Sequence, residues 1–111
     1  MKAILIDSES LTVTEVEAED INDIYRLIGC SMIEAVQLGN NQFMYVDEEG
    51  LLPHQYKGKR FYLNQDGRSY AGNALLFANG DEGETASTEL TLQEARAKIA
   101  YFVTDVEPDG Y

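Results

Sequence analysis

The sequence predicts an α+β fold: a mainly antiparallel sheet built of hairpins, with two helices packed on it. Three observations carry that prediction. Short β-favouring runs follow one another across turn signals instead of alternating with helices. Two segments carry helix-start signals, Asp20 ahead of Ile21 and Thr91 three residues ahead of Glu94. The length, 111 residues, suits one domain and suffices to close a hydrophobic core without staples.

Lys2 to Ile6 is a β-rich run that stops at the turn-forming Asp7-Ser8-Glu9-Ser10, and Leu11 to Ala18 supplies its hairpin partner. The alternation of the second run is imperfect. Leu11 and Val13 share one phase while Val16 and Ala18 take the other, which calls for a bulge near Thr14-Glu15 or an early strand end. In the first helix Asp20 is the cap, Asp23 adds negative charge to the first turn, and Gly29 sits where a left-handed residue is wanted. Ile21, Ile24, Tyr25 and Ile28 fall on one helical face and are assigned to the core.

Met32 to Leu38 and Gln42 to Val46 flank Gly39-Asn40-Asn41 and form a second hairpin, which Asp47-Glu48-Glu49-Gly50 ends in an acidic turn. Pro53 limits any helix around Leu51 and Leu52. Lys59 to Leu63 and Arg68 to Tyr70 flank Asp66-Gly67 as a third hairpin. Ala74 to Ala78 is a continuous apolar run, the pattern of a buried central strand, and an exposed loop follows from Asn79 to Glu84. The Thr91–Glu94 capping box opens a last helix whose buried stripe is Leu92, Ala95, Ile99, Phe102 and Val103. Both helices are placed on one side of the sheet. Residues 1–104 are read as a single domain and 105–111, acidic with Pro108 and Gly110, as a loose tail.

Twenty carboxylates against eight Lys and Arg give a formal net charge of −12. Phosphate backbones and anionic membranes repel such a surface, so the expected partners include neither nucleic acid nor a lipid bilayer. Basic surfaces on other proteins attract it, while solubility alone also accounts for the charge. No apolar run approaches the roughly 20 residues of a membrane span. Asp7 and Glu9 interrupt the apolar start of the chain well short of a signal peptide, and the single Cys30 forms no internal disulfide. The expected location is the cytoplasm.

Catalytic signals are weak. Nucleophilic catalysis needs an activated nucleophile and a base, and the chain offers one thiol, Cys30, and one imidazole, His54. Cys30 is read as a small core residue and His54 as a surface residue. Asp47-Glu48-Glu49 and Asp81-Glu82-Glu84 lack the alternating spacing of an EF-hand loop and are read as solvated turns. No Cys/His cluster matches a zinc site, and no glycine-rich phosphate cradle stands at a strand-to-helix junction. The expectation is a protein without enzymatic activity, cofactor or metal.

One stretch departs from the acidic background. Residues 56–70 carry four basic groups, Lys57, Lys59, Arg60 and Arg68, against one acid, Asp66. They interleave with Tyr56, Phe61, Tyr62 and Tyr70, a combination suited to stacking on a base and pairing with a phosphate. The competing account is an amphipathic hairpin whose aromatics face the core and whose cations neutralise neighbouring acids, and it is favoured because strand aromatics so often serve packing.

Four pieces of the chain resemble a family of small uncharacterised domains found in bacteria, phages and other mobile elements. They are Met1-Lys2-Ala3-Ile4-Leu5-Ile6, Ile24-Tyr25-Arg26-Leu27-Ile28-Gly29-Cys30, Val46-Asp47-Glu48-Glu49-Gly50-Leu51-Leu52 and Ala71-Gly72-Asn73-Ala74-Leu75-Leu76. The third is the most specific, and the stretch from Tyr56 to Arg68 fits the pattern least well. The family is labelled a domain of unknown function, so the resemblance implies a setting, a small accessory protein that modulates host machinery, and no activity.

The functional expectation is therefore binding. The first reading is an antagonist of a host defence or nucleic-acid-binding protein, its acidic face (Asp47, Glu48, Glu49, Asp81, Glu82, Glu84) occupying a basic surface. A domain of this length has a radius of gyration of about 13 Å, so its diameter approaches one turn of B-DNA, which carries roughly twenty phosphates. Its carboxylates cover the whole surface, so one face imitates only a short stretch of duplex. The alternative is a sponge for a small nucleotide-like ligand, using Tyr56, Lys57, Lys59, Arg60, Tyr62 and Arg68, which a homo-oligomer would assist. A structural assembly subunit is the third reading.

Overall fold

The computed structural model describes residues 1–48, 59–65 and 67–103. Among them the order is β1 (Lys2–Asp7), β2 (Thr12–Glu17), α1 (Ile21–Ile28), β3 (Ile33–Gly39), β4 (Gln42–Asp47), β5 (Arg60–Leu63), β6 (Ser69–Ala71), β7 (Asn73–Asn79), β8 (Thr85–Ala86), α2 (Leu92–Ala97) and β9 (Ile99–Val103). The larger sheet has the strand order β2-β1-β7-β4-β3, with β8 beside the end of β7, and the smaller one runs β6-β5-β9. All pairs are antiparallel. The fold class expected from the sequence is the one found, and the run Ala74–Ala78 lies on the central strand. Its side chains are buried on both faces, which is why it reads as continuous apolar sequence instead of alternating.

Each hairpin has a local cause. Asn40 and Asn41 both have positive φ, 53° and 61°, the requirement of the two-residue hairpin turn that twists with its strands. Asp7 Oδ1 accepts the Glu9 and Ser10 N–H groups at 2.9 and 3.2 Å and shapes the β1–β2 turn. In α1, Asp20 accepts the Asp23 N–H, and Gly29 closes the helix in the left-handed region at φ 82°. In α2 both halves of the Thr91–Glu94 capping box form.

Four expectations are corrected. The Leu11–Ala18 run has neither a bulge at Thr14-Glu15 nor an early end, because its register with β1 is continuous from Thr12 to Glu17. Its mixed phase arises because both faces of the large sheet are covered: Val13 enters one core and Val16 packs on the other. The helices, secondly, do not share a side. Ile24 and Ile28 of α1 meet Phe43, Leu75 and Phe77 on one face, whereas Ala95 of α2 joins Met44, Leu76, Phe61, Leu63 and Tyr70 on the other. The small sheet thus forms a second layer on the α2 side.

Third, the last helix ends at Ala97, and Ile99–Val103 is a strand paired with β5. Ile99 and Phe102 still reach the core, from a strand. β-Branched and aromatic residues suit a pleated surface, and the free edge of β5 offered ladder bonds that a continued helix could not use. Fourth, Ile21 is 48% exposed, since an eight-residue helix turns only part of its apolar face to the sheet. Glu49, Gly50, the Leu51–Pro53 segment, Asp66 and the 105–111 tail lie outside the described residues.

Candidate functional site

The third hairpin makes the small sheet two-faced. Phe61, Leu63 and Tyr70 point into the core, with Phe61 and Tyr70 ring centroids 5.7 Å apart. Strand alternation then puts Arg60, Tyr62, Ser69 and Ala71 on the opposite face. Arg60 is only 4% exposed. Its Nη1 donates to Ser69 Oγ at 2.8 Å. Among the described residues, its buried Nε and Nη2 meet no acceptor. Buried polar groups are ordinarily hydrogen-bonded, and a buried cation ordinarily has a counter-charge, so this side chain is the most unusual polar feature of the fold.

The other members of the predicted basic cluster are placed differently. Lys59 is tied to Glu9, its Nζ lying 3.1 Å from Oε2 and donating to the backbone carbonyl at 3.2 Å. Arg68 is exposed, and it borders a cleft of about 420 Å³ with Ser69 and Tyr70 on one bank and Glu34, Ala35, Val36 and Gln37 of β3 on the other. Tyr62 is half-buried beside Arg60 on the same face. Tyr56 and Lys57 lie outside the described residues. The hairpin is therefore no open basic platform: Lys59 neutralises an acid and the aromatics Phe61 and Tyr70 serve the core. Ser69, which fixes the guanidinium, was not singled out by its sequence, because a lone serine in a short strand carries no signal.

The acidic residues do not gather on one face. Asp47 and Glu48 stand at the C-terminal end of β4, whereas Asp81, Glu82 and Glu84 follow β7. In the β4–β7 register Gln42 pairs with Ala78, so the two groups lie at opposite ends of strands about 17 Å long. Glu84 turns back on its own loop and accepts the Glu82 N–H at 3.0 Å. Glu49 lies outside the described residues. A second, larger cleft of about 580 Å³ separates the end of α1 from β4, lined by Tyr25, Arg26, Gly29, Cys30, Ser31, Met32 and Asp47. Cys30 sits on the rim of the α1-side core, its Sγ directed to the Met32 carbonyl at 3.3 Å. His54 is outside the described residues.

A different acidic surface emerges along β2, the edge of the large sheet. Met1 and Ala18 exchange both hydrogen bonds. Ladder alternation then turns the backbone of Val13, Glu15 and Glu17 outward. The Val13 carbonyl accepts from Arg96 Nη2 at 3.3 Å. Glu15 and Glu17 keep side chains that are 56% and 76% exposed, held loosely by Lys2 and the N-terminal ammonium at 3.7 and 3.4 Å. Glu19 and Asp20, both exposed, continue the run into α1. Asp23 is held below the usual carboxylate range, first by the Glu19 N–H and then by the Arg26 guanidinium.

Among the described residues no three His, Cys, Asp or Glu side chains converge as metal ligands, and no helix is long and apolar enough to cross a membrane. No curated protein and no solved structure matches the chain. One protein family does, over residues 1–101, a span that takes in every strand and helix except the last residues of β9. The chain belongs to that family, described as Domain of unknown function (DUF3846).

Proposed function

We propose that this chain is a small accessory protein of the phage or mobile-element type that works by binding, as an antagonist or modulator of a host defence or nucleic-acid-binding protein with a basic surface. The observation that supports this reading is the open edge of β2. It presents outward-facing backbone donors and acceptors at Glu15 and Glu17 together with their exposed carboxylates, and Glu19 and Asp20 extend the charge. An exposed sheet edge recruits another chain through its ladder bonds, and charge on that edge selects which chain. Here it rejects a second acidic copy and admits a basic segment. The residues expected from sequence to form the contact, Asp47, Glu48, Asp81, Glu82 and Glu84, then contribute long-range steering and not one docking face.

Zero-length carbodiimide crosslinking in a host lysate tests this reading. Crosslinks should run from Glu15, Glu17 or Glu19 to lysines of one protein, and should vanish at high salt and in the E15K/E17K/E19K variant. Crosslinks confined to other faces, or unaffected by the charge reversal, would count against it. A second reading, a sponge for a small nucleotide-like ligand, is favoured by one observation, the buried guanidinium of Arg60.

A further inference from the structure

The geometry points to an oxyanion seat on the outer face of the small sheet, in which Arg60 grips a phosphate or carboxylate group side-on through Nε and Nη2. The seat rests on the small-ligand reading and gives that ligand its chemistry. Arg60 belongs to β5, the middle strand of the β6-β5-β9 sheet, so its backbone is fixed on both sides. Its cross-strand neighbour on β6 is Ala71, which carries no polar group to meet the guanidinium. Ser69 Oγ accepts from Nη1 at 2.8 Å, which sets the rotation of the planar group.

The two donors left over are significant as a pair. Nε and Nη2 lie on one side of the guanidinium and present parallel N–H bonds, the fork that meets two oxygens of a carboxylate or phosphate. Both are buried, and among the described residues neither has an acceptor nor does Arg60 have an ion-pair partner. A desolvated cation of this kind is costly unless an anion with matching geometry compensates it. A single unpaired donor would indicate only local misfit. A complete bidentate edge, buried and held in place by a third bond, indicates a site shaped for an oxyanion. Tyr62, two residues along the same face, offers the ring of a nucleotide-like ligand a surface beside that anion.

The test measures binding to the full chain of three probes, inorganic phosphate, adenosine monophosphate and glutarate, each against chloride at equal ionic strength. Thermal unfolding and calorimetric titration give affinity, and phosphorus NMR line broadening gives direct contact for the two phosphates. Phosphate or glutarate should raise the unfolding temperature of the natural chain. Arg60→Lys keeps the charge without the fork and should weaken binding at least about tenfold. Arg60→Met keeps the stem and removes the charge; it should fold and give no response. Ser69→Ala frees the guanidinium to rotate and should weaken binding without abolishing it. A response to the phosphates alone, or to glutarate alone, identifies the source of the oxyanion. Equal binding of adenosine monophosphate by the natural chain and Arg60→Met would overturn the seat while leaving the small-ligand reading standing. Failure of all three probes to bind the natural chain would overturn both.

Discussion

Leu11 has φ 60° and is 47% exposed, so a large apolar side chain sits in the left-handed region with only partial burial to offset the strain. That conformation costs an L-residue roughly 1–2 kcal/mol, and asparagine tolerates it far better. Leu11→Asn is expected to stabilise the chain by about 1 kcal/mol, read as a higher urea midpoint at unchanged slope. Ionisable residues give a second prediction at this scale. Asp23 is held below its ordinary value of 3.8 by the Glu19 N–H and by Arg26, and Glu94 below 4.5 by the Thr91 N–H and hydroxyl. Both pKa values are lower in the folded state, so their stabilisation is complete above the ordinary values and is lost as pH falls through the lowered ones. Protonating other carboxylates relieves self-repulsion in the same window, so the comparison must be between chains. The stability advantage of the natural chain over Asp23→Asn or Glu94→Gln should shrink below about pH 4.5; a constant difference down to pH 2 would show that neither bond matters.

At the scale of elements, α2 and β9 show local and non-local forces dividing one segment. The capping box starts the helix where the sequence says it starts, and Thr91→Ala should cost about 1 kcal/mol. The helix then stops after six residues because the following run finds a partner in β5. Phe102 packs from that strand on the core, its ring 6.5 Å from that of Phe61. Phe102→Ala should cost about 2–4 kcal/mol, measured by denaturant unfolding, and should loosen the small sheet that positions Arg60. The hairpins were legible because their signals lie within a few residues: Asn40-Asn41, Gly67 and the Asp7 turn each specify a reversal on their own. Strand β8 was not legible. Thr85 and Ala86 carry no strand signal and pair with Asn79 and Ala78 only because the end of β7 is free there.

At the scale of the molecule, net charge and topology decide most. With −12 distributed over the chain, self-repulsion opposes the compact state, and salt screens it beyond about 10 Å at 0.1 M. The urea midpoint should therefore rise with sodium chloride concentration, and a salt-independent midpoint would mean that the surface ion pairs offset the repulsion. Among the described residues the pairs Lys59–Glu9, Lys2–Glu15, Arg26–Asp23 and the N-terminal ammonium–Glu17 lie at the surface and are individually worth little. Among the described residues topology distributes the carboxylates to both ends of the large sheet and to its β2 edge, so the same charge acts as a diffuse field everywhere and stands exposed along one sheet edge.

The sequence by itself determined the α+β class, the hairpins, the two helix starts, the central position of the Ala74–Ala78 run and the acidic character of the surface. These follow from period, turn chemistry, capping and composition, all of which act within a few residues or on the whole sum. The tertiary structure alone decided that both faces of the large sheet are covered, that Ile99–Val103 is a strand, that Asp47 and Glu48 lie apart from Asp81, Glu82 and Glu84, and that Arg60 is buried beside Ser69 while Lys59 reaches Glu9. Each of these depends on which distant strand becomes a neighbour. A residue's type is local information; the partner that gives its charge or its fork a meaning comes from chain closure across many residues.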